Sequence, residues 1–353
     1  ARRRHADGWI RLCGAKGHNL KNVTVEFPLG VLCVVSGVSG AGKSSLVQQT
    51  LYPALCRRFR KTFDPPLPYD DLLGDGQIAD VILVDQSPAG HTSRSCVATF
   101  LKIWDDIRRV FAETADARTR GMGPRHFSFN SDEGACEECG GEGYLEIDMQ
   151  FLADVRITCP RCQGRRFREE ILDVYHRGKN PADVLEMTVR EAFAFFRGHP
   201  KVQAKLKRLI EVGLDYLRLG QAAQTLSGGE SQRLRLAAHL STVRRGGSLF
   251  ILEEPSTGLH DADVTQLLDN FESLLSVGHS LIVVEHHLRI LAAADYLIDL
   301  GPGAGDAGGR VVASGTPEQV LRCPESVTAS YLAPLLKPRT RAKAASEQNG
   351  QPG

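Results

Sequence analysis

Short apolar runs alternate along the chain with longer segments whose apolar residues recur at helical spacing. The runs are bounded by Gly, Pro or Asn and predict strands at 9–13, 23–27, 31–35, 81–84, 249–252, 281–284, 296–300 and 311–313. Helical spacing predicts helices at 45–55, 95–115, 261–275 and 288–293, and helical pieces over 188–219 that Pro200 interrupts. Strands that alternate with helices indicate an α/β fold with a mostly parallel sheet.

A glycine-rich stretch directly follows the strand predicted at 31–35. It has the spacing G-x4-G-K-S, in which glycines let backbone N–H groups close around phosphates and Lys43 adds a positive charge. Because a strand precedes it and a helix follows it, we predict a nucleotide site rather than an ordinary glycine turn. The candidate ligands are Gly37, Ser39, Gly40, Gly42, Lys43, Ser44 and Ser45, with Ser44 as a magnesium ligand.

Two acidic residues, Glu253 and Glu254, end the strand predicted at 249–252. In a phosphoryl-transfer site the first would hold magnesium through water and the second would polarise the attacking water. Taken alone, a solvated strand end is the commoner explanation of two such acids. The lysine-bearing loop upstream reverses that preference.

A serine followed by two glycines stands before a helical segment at 234–240. This arrangement makes a helix N-terminus that can hold an anion, although by itself it is also compatible with an ordinary helix cap. The candidate residues are Ser227, Gly228, Gly229 and Glu230.

Four of the nine cysteines form two C-x2-C pairs, Cys136/Cys139 and Cys159/Cys162. This spacing is typical of a zinc site, and glycines after each pair suit the tight turns that aim two thiolates at one ion. Four thiolates leave no open coordination position, so we expect one structural zinc. Redox pairs or free thiols are the alternative.

Composition narrows the function classes. The formal net charge is +1, so binding to an anionic polymer requires a local patch. No apolar run approaches the length of a membrane span and the basic start lacks a signal-like apolar stretch, so we expect a cytoplasmic protein with no membrane partner and reduced thiols. Basic residues do cluster around the cysteine pairs: Arg118, Arg120, Arg125, His126, Arg156, Arg161, Arg165, Arg166 and Arg168.

The order of these motifs resembles the ATP-binding cassette ATPases. The resemblance is closer to the C-terminal half of the UvrA family, the damage-recognition ATPases of bacterial nucleotide excision repair. It covers about residues 10–317 and rests on cysteine knuckles ahead of the signature and on short matching segments: Asn19-Leu20-Lys21-Asn22, Val38-Ser39-Gly40-Ala41-Gly42, Asp85-Gln86-Ser87-Pro88, Phe127-Ser128-Phe129-Asn130, Leu217-Arg218-Leu219-Gly220-Gln221 and Leu226-Ser227-Gly228-Gly229-Glu230.

The resemblance implies a cassette fold with an antiparallel β edge and an inserted helical signature domain that carries the zinc module. It also implies ATP and Mg²⁺ as cofactors. Gln86 matches the glutamine that senses magnesium and the attacking water, His286 matches the switch histidine at the γ-phosphate, and 256–260 matches the loop at the dimer interface. Without the resemblance, a structural role for His286 is an equal alternative.

The implied domains are an ATP-binding core at 9–95 and 226–335, an inserted signature domain at 96–225 with the zinc module at about 121–170, and a disordered tail at 336–353. The implied partners are damaged duplex DNA, a second copy or a second cassette half as dimer partner, and a UvrB-like protein whose docking domain is not in this chain.

Two features of this chain depart from the family pattern and affect the expected ATPase activity. Only one cassette is present, and Glu253 stands where the family has Asp, so ATP hydrolysis is expected to be slow. A stand-alone ATPase in drug resistance or regulation is the alternative function. A transporter ATPase subunit is a third, which the cysteine insertion argues against.

Overall fold

The computed structural model describes residues 3–87, 92, 94–147, 155–242 and 247–336. The chain forms two compact units, one built from 1–75 and 284–353 and the other from 76–283. None of the helices in these described ranges has the length and apolar composition needed to cross a bilayer. Pro88 and residues 337–353 lie outside the described residues, so the predicted disorder of the tail stays a prediction.

Six strands lie in the described part of the first unit, and they form two groups. Its antiparallel sheet has the order β2-β1-β4, and its second group pairs β3 with β10 in parallel and β10 with β11 in antiparallel. The bounds are β1 Gly8–Ala15, β2 Val23–Leu29, β3 Leu32–Gly37, β4 Asp71–Leu73, β10 Tyr296–Gly301 and β11 Arg310–Gly315.

The helix that follows β3 begins at Lys43 and runs to Arg58 through a π-helical turn, Val47–Leu51. Its apolar residues, such as Leu46, Val47 and Leu51, are fully buried. The helices of this unit are α1 Lys43–Leu46, α2 Tyr52–Arg58, α12 Leu288–Ala293, α13 Pro317–Val320 and α14 Val327–Leu336.

The second unit has neighbouring strands in the order β5-β8-β9, of which β5 and β8 pair in parallel, and a separate antiparallel hairpin, β6 with β7. The strands are β5 Asp80–Val84, β6 Tyr144–Ile147, β7 Val155–Thr158, β8 Ser248–Glu253 and β9 Ser280–Val284, which ends at the unit boundary. The helices are α3 Val97–Phe100, α4 Ile103–Ala112, α5 Ala115–Thr119, α6 Glu169–Leu172, α7 Pro181–Glu186, α8 Val189–Phe195, α9 Pro200–Glu211, α10 Gly228–Thr242 and α11 Asp261–Ser276.

The predicted strands and most of the predicted helices are found with small shifts at their ends, and the α/β class is confirmed. The helical pieces predicted over 188–219 end at Glu211, and α5, α6 and α7 were not predicted. Pro200 separates α8 from α9 as predicted, because proline is tolerated at the first position of a helix but not in its interior. The prediction of one helical stretch over 95–115 differs from the structure, where Lys102 adopts a left-handed conformation with φ of 54° and divides α3 from α4. Strand β4 and the hairpin of β6 with β7 were not predicted from the sequence.

Candidate nucleotide site and metal centre

Glycines shape the loop between β3 and α1. Gly37, Gly40 and Gly42 have positive φ angles of 133°, 76° and 104°, which other residues adopt only at a cost. A Cβ atom on Gly37 would stand 2.2 Å from the carbonyl oxygen of Leu300 on the neighbouring strand β10. Only glycine therefore fits at the start of this loop.

Side chains hold the loop from both sides. The Lys43 ammonium donates to the carbonyls of Gly37 and Val38 at 2.8 and 3.0 Å. The Asn19 amide donates to the carbonyl of Gly40 at 3.0 Å and to that of Gly305 at 3.2 Å, which ties the loop to two other segments of the same unit. The Lys43 ammonium is thus held against the carbonyls at the start of the loop.

Ser36, the residue just before the loop, belongs to a buried polar network that was not predicted from the sequence. Asp299 is 2% exposed and accepts hydrogen bonds from the hydroxyls of Ser36, Ser326 and Thr328 at 2.8, 2.6 and 2.6 Å. These bonds satisfy the buried carboxylate. They also fix the end of β3 to the start of α14, although the partners are far apart in sequence.

The structure brings His286 to the phosphate loop within the first unit. His286 lines a cavity of about 270 Å³ together with Ser36, Gly37, Val38, Leu288, Leu291, Val327, Thr328 and Tyr331. The buried carboxylate of Glu285 accepts the backbone N–H groups of His286 and His287 at 2.7 and 2.9 Å. The His286 ring itself is 69% exposed, which does not fit the alternative of a structural core histidine.

The signature residues form the N-terminus of α10 in the second unit. The Ser227 hydroxyl accepts the Glu230 N–H at 3.3 Å, and the Glu230 carboxylate accepts the Ser227 N–H at 2.8 Å, which is a capping box. The Tyr216 hydroxyl also donates to Glu230, at 2.7 Å. Burial raises the pKa of Glu230, but the hydrogen bonds from Tyr216 and Ser227 outweigh it and leave this pKa below its usual range.

The signature glycines lie against Thr257 and Gln86. A Cβ atom on Gly229 would stand 2.5 Å from the Thr257 carbonyl oxygen, and one on Gly228 would stand 3.3 Å from the Gln86 amide oxygen. The Gln86 amide also reaches the Thr257 hydroxyl at 3.5 Å. The structure therefore gathers the signature, Gln86 and the 256–260 loop, which are distant in sequence, at one place in the second unit.

The two acids stand where the sequence predicts them. Glu253 is the last residue of β8, and Glu254 follows it with a φ of 41° in the left-handed region. A turn closed by the Thr257 N–H on the Glu254 carbonyl, at 3.0 Å, leads into the 256–260 loop. A strained non-glycine residue persists only where the surrounding structure holds it in place, and such residues cluster at functional sites.

The four cysteines converge in the second unit as a metal centre requires. Their sulfur atoms all lie within 4.8 Å of one another, with 3.9 Å between Cys136 and Cys159 and 3.6 Å between Cys139 and Cys162. Tetrahedral zinc with Zn–S bonds of about 2.3 Å requires sulfur atoms roughly 3.8 Å apart. The donor set therefore fits one structural zinc, which would be held by all four thiolates.

Local backbone geometry and burial shape this centre. A Cβ atom on Gly141 would stand 1.8 Å from the Phe129 carbonyl oxygen, so the first knuckle requires glycine there. Burial raises the pKa of Cys139, and it raises the pKa of Cys162 to about 12. A zinc ion must therefore displace protons from these thiols when it binds.

Several of the arginines near the cysteines are already paired with acids. Arg161 and Arg168 both contact Glu137, at 2.8 and 3.0 Å, and Arg156 contacts Glu146 at 3.2 Å. These arginine side chains remain 32–60% exposed, and exposed ion pairs contribute little to stability.

A glycine loop between a strand and a helix, a serine-glycine helix cap and two acids at the end of a parallel strand define a nucleotide-binding cassette of the ATP-binding cassette class. The buried four-cysteine centre is a further feature of this chain, and the comparison with known proteins shows which proteins it is similar to.

The chain is 48% identical over 336 residues to UvrABC system protein A of Staphylococcus epidermidis, a match that covers 95% of this chain and 36% of the relative. It is 47% identical over 339 residues to UvrABC system protein A of Aquifex aeolicus, with 96% and 37% covered. The crystal structure of UvrA2 from Deinococcus radiodurans superposes with a TM-score of 0.87 at 46% identity, covering 96% of this chain and 40% of that one. No protein-family model matches.

The resemblance to the UvrA family is thereby confirmed in sequence and in fold. The chain spans little more than a third of the length of these relatives.

Proposed function

We propose that this chain is an ATPase cassette that recognises damaged duplex DNA in bacterial nucleotide excision repair. The similarity to UvrABC system protein A over 95% of the chain is the observation that carries the proposal. The matched part of the chain includes the phosphate loop, the signature, the paired acids and the cysteine centre. The proposal includes a cytoplasmic location, a dimer with a second cassette and the loading of a UvrB-like protein.

The proposed ATP site assigns each candidate residue a task. In the first unit, backbone N–H groups of the glycine loop and the Lys43 ammonium would hold the phosphates, and Ser44 would be a ligand of Mg²⁺, which neutralises charge on the phosphates. In the second unit, Glu253 would be a Mg²⁺ ligand. Glu254 would polarise the attacking water, and Gln86 and His286 would contact the water and the γ-phosphate. The signature residues 227–230 would close on the phosphate loop of a partner cassette, so a lone cassette should hydrolyse ATP slowly.

Glu253 supports a second candidate function. Its side chain is one methylene longer than the Asp of the family, which moves the magnesium ligand, and a displacement near 1 Å can lower a rate by about 100-fold. An ATPase that binds nucleotide but turns it over slowly suits a regulatory or drug-resistance role. The two functions differ in whether the chain binds lesion-bearing DNA more tightly than intact DNA.

The test is DNA binding to matched duplexes, one intact and one carrying a bulky lesion, measured by fluorescence anisotropy with and without ATP at two salt concentrations. We expect binding that favours the lesion and weakens as salt rises, because phosphate contacts release counterions. Replacing Arg161 by Gln should weaken binding to both duplexes. Arg190→Gln is the control, since Arg190 is an exposed arginine outside the cysteine module, paired with Asp215.

Failure of the chain to bind either duplex at both salt concentrations would remove the repair function. Equal binding to both duplexes would favour the regulatory function.

A further inference from the structure

One side chain links the signature helix to both strand ends that carry the proposed catalytic groups. The Gln232 amide nitrogen donates to the carbonyl of Val84 at 2.9 Å and to the carbonyl of Glu253 at 2.6 Å. Val84 is the last residue of β5, and Glu253 is the last residue of β8. Gln232 is 1% exposed and lies on α10, one turn beyond the signature residues.

These bonds continue the sheet where its own ladder stops. The parallel pairing of β5 with β8 ends at Val84 opposite Leu252. Gln86 and Glu254 each follow two residues beyond this pair. The amide of Gln232 bridges the two carbonyls at this point, because its NH₂ group has two N–H donors and can give one to each.

A second contact on the same helix reinforces the link. The Arg235 guanidinium pairs with the carboxylate of Asp85, the residue between Val84 and Gln86. Gln232 and Arg235 are three positions apart and therefore share a helix face. Together they fasten this face of α10 to the segment that carries Gln86.

The cost of this arrangement indicates that the donors matter more than the packing. The Gln232 amide oxygen is buried and has no hydrogen-bond partner among the described residues. An apolar side chain would avoid the unsatisfied amide oxygen, but it would leave the carbonyls of Val84 and Glu253 without this donor. Glu254, next to the bridged carbonyl, has left-handed backbone geometry that needs external support.

We propose that Gln232 is a positioning residue that transmits the position of the signature helix to Gln86 and Glu254. When the signature engages the nucleotide of a partner cassette, the displacement of α10 reaches the water-activating carboxylate through the two carbonyl bonds. The inference rests on the proposed ATPase function and adds a connection within it.

The test compares Gln232→Leu with Gln266→Leu in the full chain. Gln266 is the matched control, since its amide also donates to a backbone carbonyl, that of Ile210 at 2.6 Å, away from the motifs. We expect Gln232→Leu to lower kcat for ATP by about 10-fold to 100-fold through misplacement of the water-activating group. The Kd for a fluorescent ATP analogue should change less than about 3-fold, because the phosphate loop is untouched. Gln266→Leu should leave both values unchanged.

A second readout does not depend on turnover. Hydrogen exchange of the peptides that span 80–87 and 249–257 should be faster in Gln232→Leu than in Gln266→Leu, because the bridged strand ends open locally. If the leucine variant does not fold, Gln232→Glu keeps the shape and replaces the donor by an oxygen, and the same two results are expected.

Equal kcat and equal exchange in the two glutamine variants would overturn the inference. A wild-type chain that binds no ATP would instead refute the proposed function, and the exchange measurement would still decide whether Gln232 holds the strand ends.

Discussion

The phosphate loop and the signature-and-acid region are built by different means. The loop is a run of consecutive residues, 37–44, whose shape comes from three glycines with positive φ angles and from the helix that begins at Lys43. In the other region Gln86, the signature and the two acids come from separate segments and meet through long-range contacts, such as those of Gln232 and Thr257.

Because the two regions are built differently, substitutions should affect ATP binding and ATP turnover differently. Backbone donors in a short loop are fixed largely by local geometry, so side-chain changes in the signature-and-acid region should leave phosphate binding intact. The second region depends on specific side chains, and small displacements there should change turnover more than affinity. Substitutions in each region therefore test whether binding and turnover can be altered separately.

The largest effect should come from Lys43→Ala in the phosphate loop. Removing a charged donor from the phosphates should weaken ATP binding by about 10-fold to 150-fold, since a charge-assisted hydrogen bond contributes roughly 1.5–3 kcal/mol. Isothermal titration with ATP and Mg²⁺ measures this change. Lys16→Ala is the control, because Lys16 only forms an exposed ion pair with Asp70. An unchanged affinity in Lys43→Ala would show that this loop is not the phosphate site.

A smaller effect, of opposite sign, should come from Glu253→Asp in the second region. The shorter side chain restores the ligand position of the family and should raise kcat by up to about 100-fold, with little change in KM. Steady-state ATPase assays at several protein concentrations measure both values. Glu186→Asp, at an exposed ion pair with Arg218, is the control. If Glu253→Asp turns over no faster than wild type, Glu253 does not limit hydrolysis.

The smallest effect concerns the cap of the signature helix. Because the pKa of Glu230 is lowered in the folded chain, its charge stabilises the fold above its ordinary pKa of 4.5, and this contribution is lost as pH falls through the folded value. Glu230→Gln should cost about 0.3–1 kcal/mol of stability at neutral pH through the helix dipole. Denaturant unfolding at pH 7 and at decreasing pH below 4.5 checks this, and a difference that persists at the lowest pH would contradict it.

The four-cysteine centre combines local features with a contact between distant segments. Each C-x2-C pair is local, and its spacing together with the following glycines predicts a knuckle. The meeting of Cys136 with Cys159 requires that the hairpin β6–β7 return the chain, and this hairpin was not predicted. Its strands are only four residues each, which is too short for a clear alternating pattern.

The sequence by itself determined the features that depend on neighbouring residues: the phosphate loop, the helix cap at Ser227, the acids at the end of a strand and the two cysteine pairs. Each of them follows from glycine conformations, capping or metal-ligand spacing over a few positions. Only the tertiary structure decided which distant groups support them, such as Asp299 under Ser36 and Gln232 on Val84 and Glu253. Asp299 is 263 residues from Ser36 in sequence, and Gln232 is 148 residues from Val84. A single polar side chain carries no local signal of the carbonyl or hydroxyl that it will meet after folding.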